Sequence, residues 1–266
     1  MNNVNKTLYI PLYGKAFVSK KGIFLDDKKA EEIWEAEGFK LRGKAASKWL
    51  AYYMGARSAV FDEWVREKIA EVPRAVVIHV GCGMDSRVLR VGGDRCVWYD
   101  VDFPEVIEER RRYFSETDSY KMIAGDVRDG AWLDCIKGDT AIVVMEGVSM
   151  YLTVEEMRGF TESLCARFKS LSLLVDAYTK LAARLSRQGN PVNTVGVREV
   201  YGIDSPNEYE GALTFLCEHT MIPKRYIDEL SGAEKFIFRG LYAGGFSKKL
   251  YRLYEYKRDK TEASTC

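Results

Sequence analysis

Short runs of β-branched and other apolar residues alternate along the chain with longer stretches whose apolar positions recur at helical spacing. The first such run, AVVIHV at residues 75–80, has almost no polar alternation and is stopped by Gly81. A run of that kind suits a central parallel strand covered on both faces. Runs of the same character recur at 96–101, 120–124, 141–145 and 171–175, and the stretches 104–114 and 154–168 between them read as helices. Pro104 fits the first turn of its helix, and Thr153 followed by Glu155 and Glu156 fits an N-cap with acidic residues at the positive helix end. Two more strands are read at 213–217 and 250–256, the second alternating Leu250, Arg252, Tyr254 and Tyr256 with Tyr251, Leu253 and Glu255. Strand–helix alternation predicts an α/β fold: a seven-stranded, doubly wound, mostly parallel sheet with helices on both faces and the last strand antiparallel.

Two blocks stand outside the alternation. Residues 26–72 carry Trp34, Trp49, Tyr52, Tyr53, Phe61 and Trp64 at helical spacing, which predicts helices packed over the sheet with these aromatics as core contacts. Residues 178–210, with Gly189, Asn190, Pro191, Gly196, Gly202 and Pro206, interrupt the pattern after a strand. An insertion in that position is expected to act as a substrate lid. The expectation is one domain over 1–266, with 1–72 as an N-terminal helical cover and 178–210 as the lid.

Composition narrows the function classes. The 40 basic and 39 acidic residues nearly cancel and are spread along the 266 residues, which argues against nucleic acid as a partner. Two His and six Cys with no C-x-x-C pair give no metal-site pattern, and the cysteines read as reduced thiols. The opening MNNVNKTLYIPLYGK lacks the apolar run of a signal peptide, and no segment approaches the roughly 20 apolar residues of a membrane span. A cytoplasmic enzyme that uses no membrane is expected.

The chemistry begins where the first strand ends, at HVGCGMDSR (79–87). In an open α/β sheet, ligands bind beyond the carboxyl ends of the strands, where Gly81 and Gly83 let backbone N–H groups approach. About 20 positions on, WYDVDF offers Asp100 and Asp102, either of which can accept from both hydroxyls of a ribose. Together these features imply an adenosine ligand. Nicotinamide dinucleotide stays open at this point, because Ser86 stands where its fingerprint wants a third small residue. The next two strands end in AGDV (124–127) and MEG (145–147). Carboxylates at Asp126 and Glu146 suit a ligand with both an adenine amine and a free ammonium, which S-adenosylmethionine has.

The runs VVIHVGCGMDSRVLRV, WYDVDFPEVIEERR, AGDVRD and VVMEGVSMYLTVEE resemble the leucine carboxyl methyltransferase family, including its branch of tetracenomycin-type polyketide O-methyltransferases. The likeness runs from about Leu8 to Glu156. It implies a class I, Rossmann-like methyltransferase fold with S-adenosylmethionine as cofactor. Its glycine turn matches Gly81 and Gly83, and its ribose carboxylate matches Asp102 rather than Asp100. Its adenine-side pair matches Asp126 and the Val127 N–H, and its acid near the methionine end matches Glu146. Its Arg before a Phe-Asp pair matches Arg57 in ARSAVFDEW, which is expected to hold the cofactor carboxylate bidentately. Lys15 aligns loosely with a further family Lys and is read as a solvated charge. Cys82 stands where the family more often has Ala, and is read as a small buried thiol with no chemical role.

A carboxylate acceptor is ionised at pH 7 and needs alignment more than a proton acceptor, whereas a phenol calls for a general base. His79 lies inside a strand and is read as core, which leaves His219 as the other histidine. That shortage favours methyl transfer to a carboxylate on a small molecule or peptide end, with Tyr151 and Arg198 as candidates for positioning it. A nicotinamide-dependent oxidoreductase and a non-catalytic adenosine-binding module on the same fold are the alternatives.

Overall fold

The computed structural model describes residues 5–92, 95–186 and 199–258. Helices α1 (Asn5–Lys21), α2 (Lys28–Glu37) and α3 (Lys48–Glu71) precede the sheet and pack on one another. Helix α1 falls in the segment expected as helical cover but ahead of the spacing read at 26–72, and Pro11, ordinarily a helix breaker, lies inside it. The strands and the helices between them follow, as read except for α4: β1 (Val76–Val80), α4 (Arg87–Val91), β2 (Trp98–Asp102), α5 (Pro104–Arg110), β3 (Tyr120–Ala124), β4 (Thr140–Met145), α6 (Val154–Arg167) and β5 (Ser170–Tyr178). A short α7 (Lys180–Ser186), β6 (Thr214–His219), α8 (Lys224–Glu229), α9 (Gly232–Tyr242) and β7 (Tyr251–Arg258) complete it. Helices α8 and α9 were not anticipated. Arg198 and most of the Gly/Pro-rich part of 178–210 lie outside the described residues.

The seven strands form one sheet in the order β3-β2-β1-β4-β5-β7-β6, and β7 runs antiparallel to both neighbours. Alternate residues of the central strands feed two cores. Val77, Ile142, Val144 and Leu174 pack with Tyr52, Phe61 and Trp64 of α3, while Val76, Ile78, Val80 and Val143 pack with Phe160 and Leu164 of α6. Burial on both faces is why β1 and β4 read as unbroken apolar runs. Trp34, Trp49 and Tyr53 are partly buried against the first of these cores. Thr153 caps α6 in a capping box with Glu156, so the acidic residues at that end both satisfy the backbone and face the helix dipole. No helix among the described residues is long and apolar enough to cross a membrane.

Candidate active site

The carboxyl ends of β1, β2, β3 and β4 open into a single cavity of about 740 Å³. Gly81, Gly83, Asp102, Asp126, Val127, Glu146, Arg57 and Tyr151 all line it, as does Lys15. Glycine is required at position 81. Its φ is +65°, and a Cβ there would lie 2.2 Å from Val148 Cγ2. Gly83 also has positive φ, and its N–H donates to Asp102 Oδ2 at 2.8 Å, so the glycine turn and the β2 carboxylate hold each other.

The two candidate carboxylates of β2 separate cleanly. Asp100 is fully buried and accepts from Trp98 Nε1 at 2.9 Å, Tyr120 Oη at 2.7 Å and the Arg110 guanidinium, with His79 Nδ1 at 3.3 Å. Burial raises its pKa, but Arg110 outweighs this and holds it down at about 2. Asp102 lines the cavity and accepts from the Gly83 and Phe103 amides, and burial pushes its pKa up to about 6. Asp126 meets Arg128 through Nε at 2.9 and 3.0 Å, at the partly exposed rim of the cavity.

Behind the glycine turn lies a buried ionic layer that the sequence reading did not identify. Arg87, wholly buried, donates to Asp62 Oδ1 at 2.8 Å and to Glu146 Oε2, and faces His79 Nε2 at 3.0 Å. Arg90 joins Asp62, Asp27 and Asp85. Lys15 is 4% exposed and pairs with Asp85 at 3.1 Å, which corrects its reading as a solvated charge. A buried ammonium needs such a partner. This layer ties α1, α2 and α3 to the start of α4, so helices remote in sequence brace the strand-end loop.

Arg57 is also buried, and its partners are protein groups. Nε donates to Glu146 Oε1 at 2.8 Å, and NH1 to Asp176 Oδ2 at 3.1 Å and Tyr251 Oη at 2.9 Å. Each two-nitrogen edge of the guanidinium therefore has one donor engaged, and NH2 has no acceptor within reach among the described residues. For Glu146 burial works against ionisation, yet Arg57 and Arg87 hold its pKa at about 2. Asp176, at the end of β5, accepts from Tyr251 Oη at 2.6 Å and the Gly147 amide at 2.8 Å, and burial pushes its carboxyl up. It is one more acid at a strand end, and the rule that selected Asp126 and Glu146 would have found it.

Beyond Glu146 the cavity wall changes character. Tyr53, Tyr151, Tyr178, Tyr242 and Tyr251 line it, with Leu241 and Leu250. Tyr178 and Tyr251 meet edge to face at 4.9 Å, and Tyr53 stacks on Tyr251 at 6.1 Å. Neither histidine is presented as a base. His79 is 1% exposed, with Nε2 toward Arg87 and Nδ1 toward Asp100, and burial lowers its pKa. His219 pairs with Glu255 and is not among the residues lining the cavity. Cys82 is a buried thiol in the wall, and burial raises its pKa.

A backbone-lined turn, an acid at each of the next strand ends and space for a nucleoside beside an amino-acid-sized charged group fit S-adenosylmethionine. Comparison with known proteins agrees. Residues 3–164 match the leucine carboxyl methyltransferase family. The chain is 28% identical over 263 residues to the tetracenomycin polyketide synthesis O-methyltransferase TcmP of Streptomyces glaucescens, spanning 96% of this chain and 97% of that one. It is 27% identical over 183 residues to the S-adenosyl-L-methionine-dependent methyltransferase dpfgK of Gibberella zeae, spanning 63% of this chain and 61% of the relative. A solved DUF574 family protein from Streptomyces avermitilis shares the fold at a TM-score of 0.57 and 12% identity, over 88% of this chain and 90% of that chain. The nicotinamide alternative falls with these findings. The chain belongs to the leucine carboxyl methyltransferase family and is an S-adenosylmethionine-dependent methyltransferase.

Proposed function

We propose that the chain methylates an oxygen, a carboxylate in the first instance, on a small molecule with an apolar, aromatic body. The observation that carries this reading is the five-tyrosine wall beyond Glu146, in a cavity that His79 borders with both ring nitrogens turned to Arg87 and Asp100. Tyrosines give a flat aromatic molecule large contact faces, and their hydroxyls can hold a polar group at its edge. The name of the Streptomyces relative, an O-methyltransferase of polyketide synthesis, fits an acceptor of that class.

In this reading Gly81 and Gly83 offer backbone to the cofactor, Asp102 accepts from the ribose, and Asp126 with the Val127 amide meets the adenine edge. Glu146 faces the ammonium. Arg57 reaches the cofactor carboxylate through NH2 alone, unless Glu146 or Asp176 gives way to allow a bidentate grip. S-adenosylmethionine brings a methyl group on a sulfonium, which carries its own leaving group. The protein's task is then to align an ionised acceptor oxygen and keep water out. Tyr151 is assigned to positioning the acceptor. Within the single domain 1–266, the helices of 1–72 and the block 178–210 are assigned to covering the cavity, and Ala182 and Leu185 of α7 already stand in its wall.

The test is turnover with S-adenosylmethionine against matched panels of aromatic carboxylic acids, phenols and short peptides with free carboxyl ends. An ester product is hydrolysed by mild base and an ether is not. Base-labile product from the aromatic acids is expected. Base-stable product from the phenols alone would reject the carboxylate, and turnover confined to peptides would reject the aromatic body.

A further inference from the structure

Away from the cavity, on the outer strand pair, Cys217 and His219 of β6 and Glu255 of β7 converge on the face of the sheet that packs against α3. Their convergence depends on an irregularity. Phe215 pairs with Tyr256 and Cys217 with Glu255, so Leu216 is an extra residue in β6. In a regular strand Cys217 would share the face of Phe215, which packs on Tyr254 and Tyr256. The bulge turns Cys217, and with it His219 two residues on, to the opposite face, where Glu255 stands. Bulges re-aim side chains in this way and occur beside functional sites.

We propose that Cys217, His219 and Glu255 form a binding site for a divalent transition-metal ion, of which Zn²⁺ fits best. The set has one thiolate, one imidazole and one carboxylate, the three donor types that zinc takes. Two of the three distances are those of a tetrahedron. Bond lengths of about 2.3 Å to sulfur and about 2.0–2.1 Å to nitrogen and oxygen put the S···N and S···O edges near 3.6 Å. Cys217 Sγ lies 3.5 Å from His219 Nε2 and 3.7 Å from Glu255 Oε2. The third edge, His219 Nε2 to Glu255 Oε2, is 2.6 Å and widens by roughly 0.7 Å when an ion takes the place of the shared hydrogen.

Charge and surroundings agree. Glu255 is 3% exposed, and its Oε1 faces Lys68 Nζ of α3 at 3.1 Å, an ammonium that would fix the carboxylate while Oε2 binds the ion. A thiolate and a carboxylate neutralise a divalent cation, the thiol proton leaves to solvent and the imidazole proton resides on Nδ1. β6 is the edge strand and His219 is partly exposed, which leaves an open side for entry and for a fourth ligand such as water. An ion there would clamp the edge strand to β7, about three turns along the same α3 that carries Arg57.

The test uses tag-free full-length protein titrated with Co²⁺ and then Zn²⁺. One equivalent of Co²⁺ should give a thiolate charge-transfer absorption in the near ultraviolet, and Zn²⁺ should displace it. Loss of an outer partner typically weakens a metal about 10–100-fold, so Cys217→Ser and His219→Ala should each lower Zn²⁺ affinity at least that much. Cys135→Ser should leave it unchanged, since that thiol is exposed and elsewhere. Cofactor calorimetry on each variant reports folding independently, because none of the three residues lines the cavity. Absence of the thiolate band, or its persistence in Cys217→Ser, would overturn the proposal and leave the cluster a His–Glu hydrogen bond.

Discussion

The two ends of the cavity are built on different principles. At the nucleotide end every group is the last residue of a parallel strand or one of the first few after it, so backbone topology alone puts Gly81, Asp102, Asp126 and Glu146 around one space. At the acceptor end the wall is assembled from α3, β5, α9 and β7, and Tyr53 meets Tyr251 across about three quarters of the chain. The first end is fixed by local rules and is shared by many chains of this fold. The second depends on tertiary packing and is where a particular acceptor can be selected. Arg57 and Glu146 stand at the junction.

The sharpest way to break the comparison lies in β2, where two carboxylates two residues apart are given opposite roles. Asp100→Ala removes the partner of the buried Arg110 and should cost about 3–5 kcal/mol of stability by chemical denaturation. Asp102→Ala should cost far less stability and instead weaken cofactor binding by about 1–3 kcal/mol in calorimetry. If Asp100→Ala proves the binding variant and Asp102→Ala does not, the assignment of the nucleotide end is wrong.

The contrast also explains what could be read beforehand. All seven strands were placed within a few residues: burial on both faces leaves β1, β4 and β5 as apolar runs, and β7 shows in its alternation. The residues of the nucleotide end were legible for the same reason, their position being a strand's end. Asp176, directly after the run read at 171–175, obeys that rule too but was not singled out, and the strand itself runs on through Tyr178. Tyr251 and Tyr242 look like any strand and helix aromatics until the fold brings them to Tyr53. The buried partners of Arg87 and Lys15 were hidden similarly, as nothing in a charge's sequence neighbourhood says that an acid from another helix will meet it.

At the junction, Arg57→Ala should raise the cofactor dissociation constant about tenfold or more, in line with the roughly 1.5–3 kcal/mol of a charged hydrogen bond, and Arg57→Lys should fall between. Because Glu146 and Asp176 lose a partner as well, adenosine is the control. It has no carboxylate and should bind wild type and variant alike. Equal loss for adenosine would mean that Arg57 acts through the fold rather than on the amino-acid end.

Proton linkage sharpens the role of Asp102 further. Its pKa is raised by burial to about 6, so it is ionised above that pH and protonated below, and a ribose pair of donors requires the ionised form. Cofactor affinity should therefore be flat above about pH 7 and fall by up to about tenfold for each unit below pH 6. Asp102→Asn should remove this dependence. Glu146, held near 2 by Arg57 and Arg87, contributes none in that window. A wild-type profile that stays flat from pH 7 to 5 would show that ionised Asp102 is not needed.

The smallest effect is expected at the rim of the nucleotide end, where Arg128 occupies the carboxylate assigned to the adenine amine. The pair is half open to solvent, with Arg128 50% and Asp126 30% exposed, and such pairs contribute about 0–1 kcal/mol. A carboxylate has more acceptor sites than one guanidinium uses, so adenine can share Asp126 without displacing Arg128 altogether. Arg128→Ala should thus change cofactor affinity by less than about fivefold and in the favourable direction, with the gain shrinking as salt screens the pair. Asp126→Asn should weaken binding, because its carboxamide offers one good acceptor and no charge. If Arg128→Ala instead costs tenfold or more, the guanidinium itself grips the ligand, and the nucleotide end would depend on a side chain outside the strand-end rule that otherwise accounts for it.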